Sequence, residues 1–413
     1  MSLLSPGRPS AAPPRPPVRP VARPHGAPLH GTSATSTSPA SPAGTRPPRD
    51  AFVDGVRAIG TVLVVLLHWL MVEATWDGRT LAVGNALAHG PAWLLTWLQP
   101  LPLLFFAAGA AARYDLERHP GWRGLHFAGT RMLRMARPVA VLAVAWAASM
   151  AALPLLGVPE AAVDRAARIV PQPLWFLGVQ VGLLALTPLL LRALRRWGAA
   201  RVLVVLAALP VVVDVLRFSD QVPVSGVPNV LLVWALPYVG GLVHAQRRLA
   251  PPADRRPDAL PERAALALLV TGGLAATVLL LATGPYPVSL IGMPGDAISN
   301  LGPPTAPVVG FAVAQVAAAL LVHDTLARWA RRSAVVRWVG ARSMGLYLWH
   351  LPAVFAVTGV VLVGLDQTLP APWSAAWWVT RPVHLGVAAL VLVGLVAAAA
   401  RVERRIPRRL GRG

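Results

Sequence analysis

The chain has 413 residues, of which 55% are hydrophobic and 13% are charged, whereas a typical soluble domain has about 25% charged residues. Several apolar stretches reach the roughly 20 residues that cross a hydrocarbon core, and no period-2 alternation indicates a transmembrane barrel. The composition therefore excludes an ordinary soluble protein and predicts an all-α, polytopic integral membrane helical bundle. Cysteine and lysine are absent, which excludes thiolate nucleophiles, Schiff-base lysines and a Walker A lysine. No His-Glu-x-x-His motif is present, and we expect no metal and no bound cofactor.

The amino-terminal segment, residues 1–49, is rich in Pro, Arg, Ser, Ala and Thr and has no apolar run long enough for a signal peptide. This composition predicts a disordered basic cytoplasmic tail. An arm that binds phosphate or lipid is the alternative. The membrane domain is predicted over residues 50–400, and residues 401–413 form a second basic tail.

Ten membrane spans are predicted in the domain, with soft boundaries, and arginines test their orientation. One set of loops contains 26 arginines and the alternating set contains 5. Arginine-rich loops stay in the cytoplasm, so we expect both termini there. The Arg-, Ala- and Pro-rich composition indicates a GC-rich bacterial genome, so we expect the membrane to be a bacterial cytoplasmic membrane. The formal charge of +21 thus reflects topology and not nucleic-acid binding. The predicted spans are 52–73, 91–112, 138–156, 174–191, 202–216, 229–245, 264–283, 306–327, 343–364 and 382–400.

The first span places an arginine and a histidine on one stripe. Arg57 and His68 are eleven residues apart, which returns a helix to nearly the same direction and separates them by about 16 Å along its axis. An ionisable residue deep in an apolar span is costly, so His68 indicates a function. The alternative is a histidine hydrogen-bonded between packed helices. Asp54 either orients Arg57 or caps the helix.

Four segments in order resemble acyltransferase family 3, the bacterial membrane O-acyltransferases with an Arg-x10-His signature. The resemblance covers about residues 50–400. The segments are Phe52-Val-Asp-Gly-Val-Arg57 through His68, Phe105-Phe-Ala-Ala-Gly109 with Arg131-Met-Leu-Arg134 and Arg137-Pro138, Leu174-Trp-Phe-Leu177, and Gly345-Leu-Tyr-Leu-Trp-His-Leu-Pro352.

The resemblance implies acyl transfer from cytoplasmic acyl-CoA to a hydroxyl group, and the residues can be read against that chemistry. His68 is the candidate general base, with Arg57 as its catalytic partner, because the acceptor hydroxyl must lose a proton. Arg131 and Arg134 are the candidate donor-binding residues, since guanidinium groups suit the phosphates of acyl-CoA. Positive-inside anchoring is the alternative for these arginines.

Five further polar or aromatic residues are candidates for the acceptor site, and each has a structural alternative. Glu73 is the last residue of the first span, at its outer end, and the alternative is a merely solvated side chain. Trp175 and Asp214 are expected to face an acceptor cavity. The alternative for Trp175 is a place in the aromatic belt at the membrane interface. Asn300 lies in a long turn-rich loop that forms either a lid or a plain connection. His350 is either catalytic or part of a helix interface.

The predicted function is a membrane O-acyltransferase that moves an acetyl or short acyl group from acyl-CoA to a glycan, a lipid-linked sugar or a secondary metabolite. Acyl-CoA, the hydroxyl-bearing acceptor and membrane lipids are the expected partners, without nucleic acid, and the oligomeric state is left open. A transporter or flippase and a non-catalytic scaffold are the alternatives. Neither has a general reason to carry the stripe of Arg57 and His68 together with Arg131 and Arg134.

Overall fold

A computed structural model describes residues 49–406, except 120, 122, 123, 220–224 and 251–259. Of the predicted tails, residues 1–48 and 407–413 lie outside the described residues, and residues 401–405 belong to the last helix. The fold is all-α apart from one hairpin, as predicted. Within the described part, twelve α-helices occur: α1 (Ala51–Met71), α2 (Leu101–Arg118), α3 (Gly124–Ala152), α4 (Glu160–Ile169), α5 (Leu174–Trp197), α6 (Ala199–Phe218), α7 (Asn229–Leu249), α8 (Leu260–Thr283), α9 (Ala306–Leu321), α10 (His323–Arg332), α11 (Ala334–Gly359) and α12 (Ala375–Arg405).

Helix α1 begins at a side-chain cap. Asp50 Oδ1 accepts hydrogen bonds from the backbone N–H groups of Phe52 at 3.0 Å and Val53 at 3.3 Å, which satisfies two amides that a helix start leaves unpaired. Asp54, the residue for which capping was one predicted role, lies inside the helix and 3.9 Å from Arg57. Its alternative role beside Arg57 therefore fits the geometry.

A short antiparallel hairpin follows α1. Strand β1 (Val72–Trp76) pairs with β2 (Leu81–Asn85), with Val72 opposite Asn85. The turn is held by Asp77, whose carboxylate accepts hydrogen bonds from the Thr80 hydroxyl and from the N–H groups of Thr80 and Arg79. These bonds lower the pKa of Asp77 to about 2. The predicted first span, 52–73, is thus two residues too long, because the chain is extended from Val72.

The length and composition of the helices confirm a multi-pass membrane protein. Among the described residues, eight helices are long and apolar enough to cross a membrane, or nine if α9 and α10, which meet at a 67° bend, are one span. The outer helices α3 and α8 expose large apolar side chains, such as Val144 and Leu268, each 71% exposed. Such surfaces suit lipid contact rather than water.

The predicted span 229–245 corresponds to α7, which is not among those helices, so the count of ten stays a prediction. Helix α7 is surrounded by α2, α5, α6 and α9, and residues along most of its length are buried. A helix enclosed by protein can carry polar residues that lipid would disfavour. Asn229, Tyr238 and His244 are examples on this helix.

Helices α2 and α7 pack backbone against backbone. A Cβ atom at Gly109 of α2 would lie 1.9 Å from the carbonyl oxygen of Tyr238, and one at Gly241 of α7 would lie 1.9 Å from that of Phe106. Both glycines are therefore required for this approach, which places the ends of α2 and α7 beside the start of α1. We call this end of the bundle the arginine face, and the end where α1 meets β1 the hairpin face.

Candidate active site

His68 lies one turn before the end of α1, towards the hairpin face. Its Nδ1 atom is 2.8 Å from the carbonyl oxygen of Val64. A carbonyl oxygen only accepts hydrogen bonds, so Nδ1 of the neutral ring carries the proton and Nε2 carries a lone pair. This is the tautomer that a general base needs.

His350 of α11 faces His68. The ring centroids are 4.9 Å apart, with the rings inclined by 63°. His350 is 1% exposed, and its Nδ1 lies 2.6 Å from the carbonyl oxygen of Tyr347. Within the described residues its Nε2 atom has no hydrogen-bond partner, which is unusual for a buried nitrogen. The contacts fit both roles predicted for His350, a helix interface and a part of the reaction site.

Aromatic rings connect the segments that carry the family resemblance. The Phe105 ring lies 4.7 Å from that of Phe176, which lies 5.4 Å from that of Tyr347. Tyr347 continues this path to His350 at 6.1 Å, and its hydroxyl donates a hydrogen bond to the carbonyl oxygen of Pro173. Residues far apart in the chain, on α2, α5 and α11, thus form one path of aromatic rings that ends at His350, the neighbour of His68.

Arg381 of α12 is a residue of this site that the sequence did not identify. It is 6% exposed and donates hydrogen bonds to the carbonyl oxygens of Trp69 and, at 3.1 Å, Val72. An arginine can satisfy the free carbonyl groups at the end of a helix in this way. In the sequence Arg381 is a single arginine of an arginine-poor loop, and nothing there indicates that it reaches α1.

A second cluster lies at the arginine face, where several guanidinium groups share one carboxylate. Asp115 Oδ2 is 2.6 Å from Arg131 Nη1 and 3.9 Å from Arg134 Nη1, and Asp115 Oδ1 is 3.5 Å from Arg118 Nη1. Arg57 lies at the same end of the bundle, with its Nη1 atom 3.9 Å from Asp54 Oδ1. One carboxylate therefore contacts three guanidinium groups, an excess of positive charge suited to binding an anion. The sequence predicted Arg57, Arg131 and Arg134 but missed Asp115.

The two clusters are separated along α1. Arg57 and His68 lie on one stripe as predicted, about 16 Å apart along the axis. Asp54 Oδ1 lies beside the guanidinium group of Arg57, and Asp54 Oδ2 lies 2.5 Å from Arg49 Nε. Any substrate that contacts both clusters must therefore extend along α1 through much of the bundle.

Glu73 and Trp175 lie where an acceptor could reach them. Glu73 is in β1, beyond the end of α1, with both carboxylate oxygens 3.0 Å from His89 Nε2. Trp175 is 39% exposed near the start of α5, and its ring lies 6.2 Å from that of Trp234. Their assignment to an acceptor site stays a prediction.

Asp214 and Asn300 are both fully buried and hold the loop between α8 and α9. Asp214 Oδ1 accepts from Asn229 Nδ2 at 2.9 Å, and its Oδ2 accepts from Tyr286 Oη at 3.1 Å. Burial and this carboxylate raise the pKa of Tyr286, which keeps the hydroxyl protonated as the donor. Asn300 donates to the carbonyl oxygens of Pro287 at 2.8 Å and Ser289 at 2.7 Å. These bonds give both residues a structural role, and acceptor contact stays a prediction.

The fold and the site define a multi-pass membrane protein with a histidine pair on one side of the bundle and an arginine cluster on the other. A family model described as an acyltransferase domain matches residues 50–401, nearly the whole chain. The chain therefore belongs to acyltransferase family 3, as the resemblance predicted. Searches of curated proteins and of solved structures found no match.

Proposed function

We propose that this protein is a membrane O-acyltransferase that moves an acetyl or other short acyl group from acyl-CoA to a hydroxyl group. The observation that carries the proposal is the hydrogen bond made by His68. Its Nδ1 is committed to the carbonyl oxygen of Val64, which leaves the Nε2 lone pair available to take a proton.

The proposed reaction is direct transfer within a complex of both substrates. The acceptor hydroxyl loses its proton to His68 Nε2 as its oxygen attacks the thioester carbonyl carbon. A carbon–oxygen bond forms, the carbon–sulfur bond breaks, and the thiolate of coenzyme A leaves. His68 then returns the proton to this thiolate, so the ring ends neutral.

The arginine cluster supplies the proposed donor site. Acyl-CoA carries a pyrophosphate and a ribose phosphate, and the guanidinium groups of Arg131 and Arg134 match such groups in charge and hydrogen-bonding geometry. The separation of about 16 Å between Arg57 and His68 along α1 would be crossed by the pantetheine arm. Donor phosphates at the arginine face and the thioester beside His68 would then be bound together.

The acceptor would approach from the hairpin face. We propose that it is a glycan, a lipid-linked sugar or a secondary metabolite, and that the protein lies in a bacterial cytoplasmic membrane with both termini in the cytoplasm. The excess of arginines in one set of loops supports this orientation. Glu73 and Trp175 are the proposed contacts for the acceptor.

The substitution His68→Gln tests the proposal, because glutamine keeps hydrogen-bonding capacity but cannot accept a proton at neutral pH. Mass spectrometry of glycans, lipids and secreted metabolites from a deletion strain should reveal a lost acyl mass. We expect wild-type protein to restore that mass and His68→Gln to restore it about 10²-fold more slowly or less, the usual effect of removing a general base.

The matched control is His384→Gln, the same change at a histidine that contacts Thr358 across a helix interface. This variant should restore the mass at close to the wild-type rate. Membrane levels of both variants are compared by immunoblot. Near wild-type transfer by His68→Gln would show that His68 is a packing residue, and a deletion strain without any lost acyl mass would contradict the proposed function itself.

A further inference from the structure

Three residues at the arginine face have potential metal-ligand atoms that lie close together. Asp50, His244 and His323 each offer one ligand atom, and these atoms all lie within 4.8 Å of one another. His244 Nε2 is 3.0 Å from Asp50 Oδ2. Both of these side chains are about nine-tenths buried, with 8% of Asp50 and 10% of His244 exposed. They come from the start of α1, the last turns of α7 and the first residue of α10.

Second contacts orient two of these ligands. Asp50 Oδ1 accepts hydrogen bonds from the N–H groups of Phe52 and Val53, so Oδ2, which faces His244, is the oxygen that would bind an ion. His323 Nδ1 lies 2.8 Å from Asp324 Oδ1, so Nδ1 donates a hydrogen bond to that carboxylate and Nε2 keeps its lone pair. Metal-binding histidines usually donate the N–H of the second nitrogen to a carboxylate, a backbone carbonyl or a water.

A hydrogen bond between Asp50 and His244 is the competing explanation, and it accounts for only part of the cluster. Tyr114 Oη also donates to Asp50 Oδ2, at 2.5 Å, which suits an ordinary polar contact. A hydrogen bond between Asp50 and His244 does not explain why the side chain of His323 lies beside them. The His323 ring lies 5.8 Å from that of His244 and 4.5 Å from that of Phe52, and one of its ring nitrogens belongs to the same group of ligand atoms.

We propose that Asp50, His244 and His323 bind one divalent transition metal ion, with zinc as the best match. Two imidazole nitrogens and one carboxylate oxygen form a donor set that zinc commonly takes, with water in the fourth position. The expectation of no metal, drawn from the missing His-Glu-x-x-His motif, is replaced by this proposal. Residues separated by 194 and 79 positions form no recognisable spacing.

Three protein ligands with one open position are typical of catalytic zinc, but this ion would not take part in the proposed acyl transfer. Asp50 precedes His68 by 18 residues, or about 27 Å along α1, so a metal at Asp50 is far from the proposed proton transfer. It would instead tie the start of α1 to the end of α7 and to the bend between α9 and α10. The site does not depend on the proposed acyl transfer.

The test is metal content of the full chain, purified in detergent without a metal-affinity tag. The protein is stripped with a chelator, equilibrated with zinc chloride, desalted and analysed by mass spectrometry. We expect about one zinc per chain in the wild type, the stoichiometry of a single three-ligand site. His244→Ala and His323→Ala should lose it. His89→Ala, which changes a histidine paired with Glu73 at the hairpin face, is the control and should keep it.

Two further measurements keep the proposal testable if a variant does not fold. Asp50→Asn retains a side chain that caps α1 and should bind zinc more weakly than the wild type. The wild type alone should show the visible absorption of tetrahedral cobalt when Co²⁺ is added, and zinc should raise its unfolding temperature over that in chelator. A wild type without cobalt absorption, or with no more zinc than the double variant His244→Ala/His323→Ala, would overturn the proposal.

Discussion

Replacing Gly109 by alanine should separate α2 from α7 and destabilise the bundle. The new Cβ would lie 1.9 Å from the carbonyl oxygen of Tyr238, whereas ordinary contacts begin near 3.4 Å. That oxygen belongs to the backbone of a buried helix and cannot rotate away, so the helices themselves must move. Forcing an extra methyl group into a packed interior costs about 1–3 kcal/mol. The reciprocal change, Gly241→Ala, meets the carbonyl oxygen of Phe106 at the same distance and should have a similar effect.

Thermal unfolding in detergent, followed by loss of the monodisperse chromatographic peak, measures this effect. Gly394→Ala is the matched control, since a Cβ there has nothing within 4 Å and alanine is favoured over glycine in a helix by up to about 1 kcal/mol. The control should therefore unfold at or above the wild-type temperature and Gly109→Ala clearly below it. Equal unfolding temperatures for Gly109→Ala and Gly394→Ala would refute the close contact between α2 and α7.

Three more predictions follow from the arginine distribution and the hydrogen bonds. Reporter fusions at residues 80 and 295 should read outside and a fusion at 335 inside, because arginine-rich loops stay in the cytoplasm; the reverse pattern would invert the topology. Arg131→Ala should raise the acyl-CoA concentration needed for half-maximal rate without reducing membrane insertion, and lysine at that position should restore it only partly, since lysine lacks the planar fork. Asn300→Ala should make the loop before α9 sensitive to protease at a cost of about 1–3 kcal/mol, because two buried carbonyl groups lose their donor; unchanged protection would remove its structural role.

The long helices could be predicted from the sequence because lipid imposes a simple rule. Apolar runs near 20 residues and the charge of the loops located most of the bundle. Helix α7 was also located, at the predicted span 229–245, although it contacts protein on most sides and is less uniformly apolar, so that its crossing of the membrane stays a prediction. The hairpin was missed although its turn had a signal, Asp77-Gly78 between two short extended stretches. The predicted first span included Glu73, which lies in β1 instead.

The site could be predicted only where one helix contains its residues. The shared stripe of Arg57 and His68 could be predicted from the helical period of α1. The resemblance added His350 as a candidate but did not indicate which residues it contacts. The contact of His68 with His350, the reach of Arg381 to Trp69 and the role of Asp115 depend on tertiary packing. No spacing in the chain encodes these contacts. The same holds for Asp50, His244 and His323.

Because Arg381 donates hydrogen bonds to the end of α1, the position of His68 depends on three helices. The carbonyl groups of Trp69 and Val72 depend on a side chain of α12, and the Trp69 indole donates to the backbone of His350 on α11. Chimeras that exchange α1 alone between relatives would leave these donors and acceptors mismatched. The smallest segment set that can be transplanted with its histidine geometry intact is therefore α1, α11 and the start of α12 together.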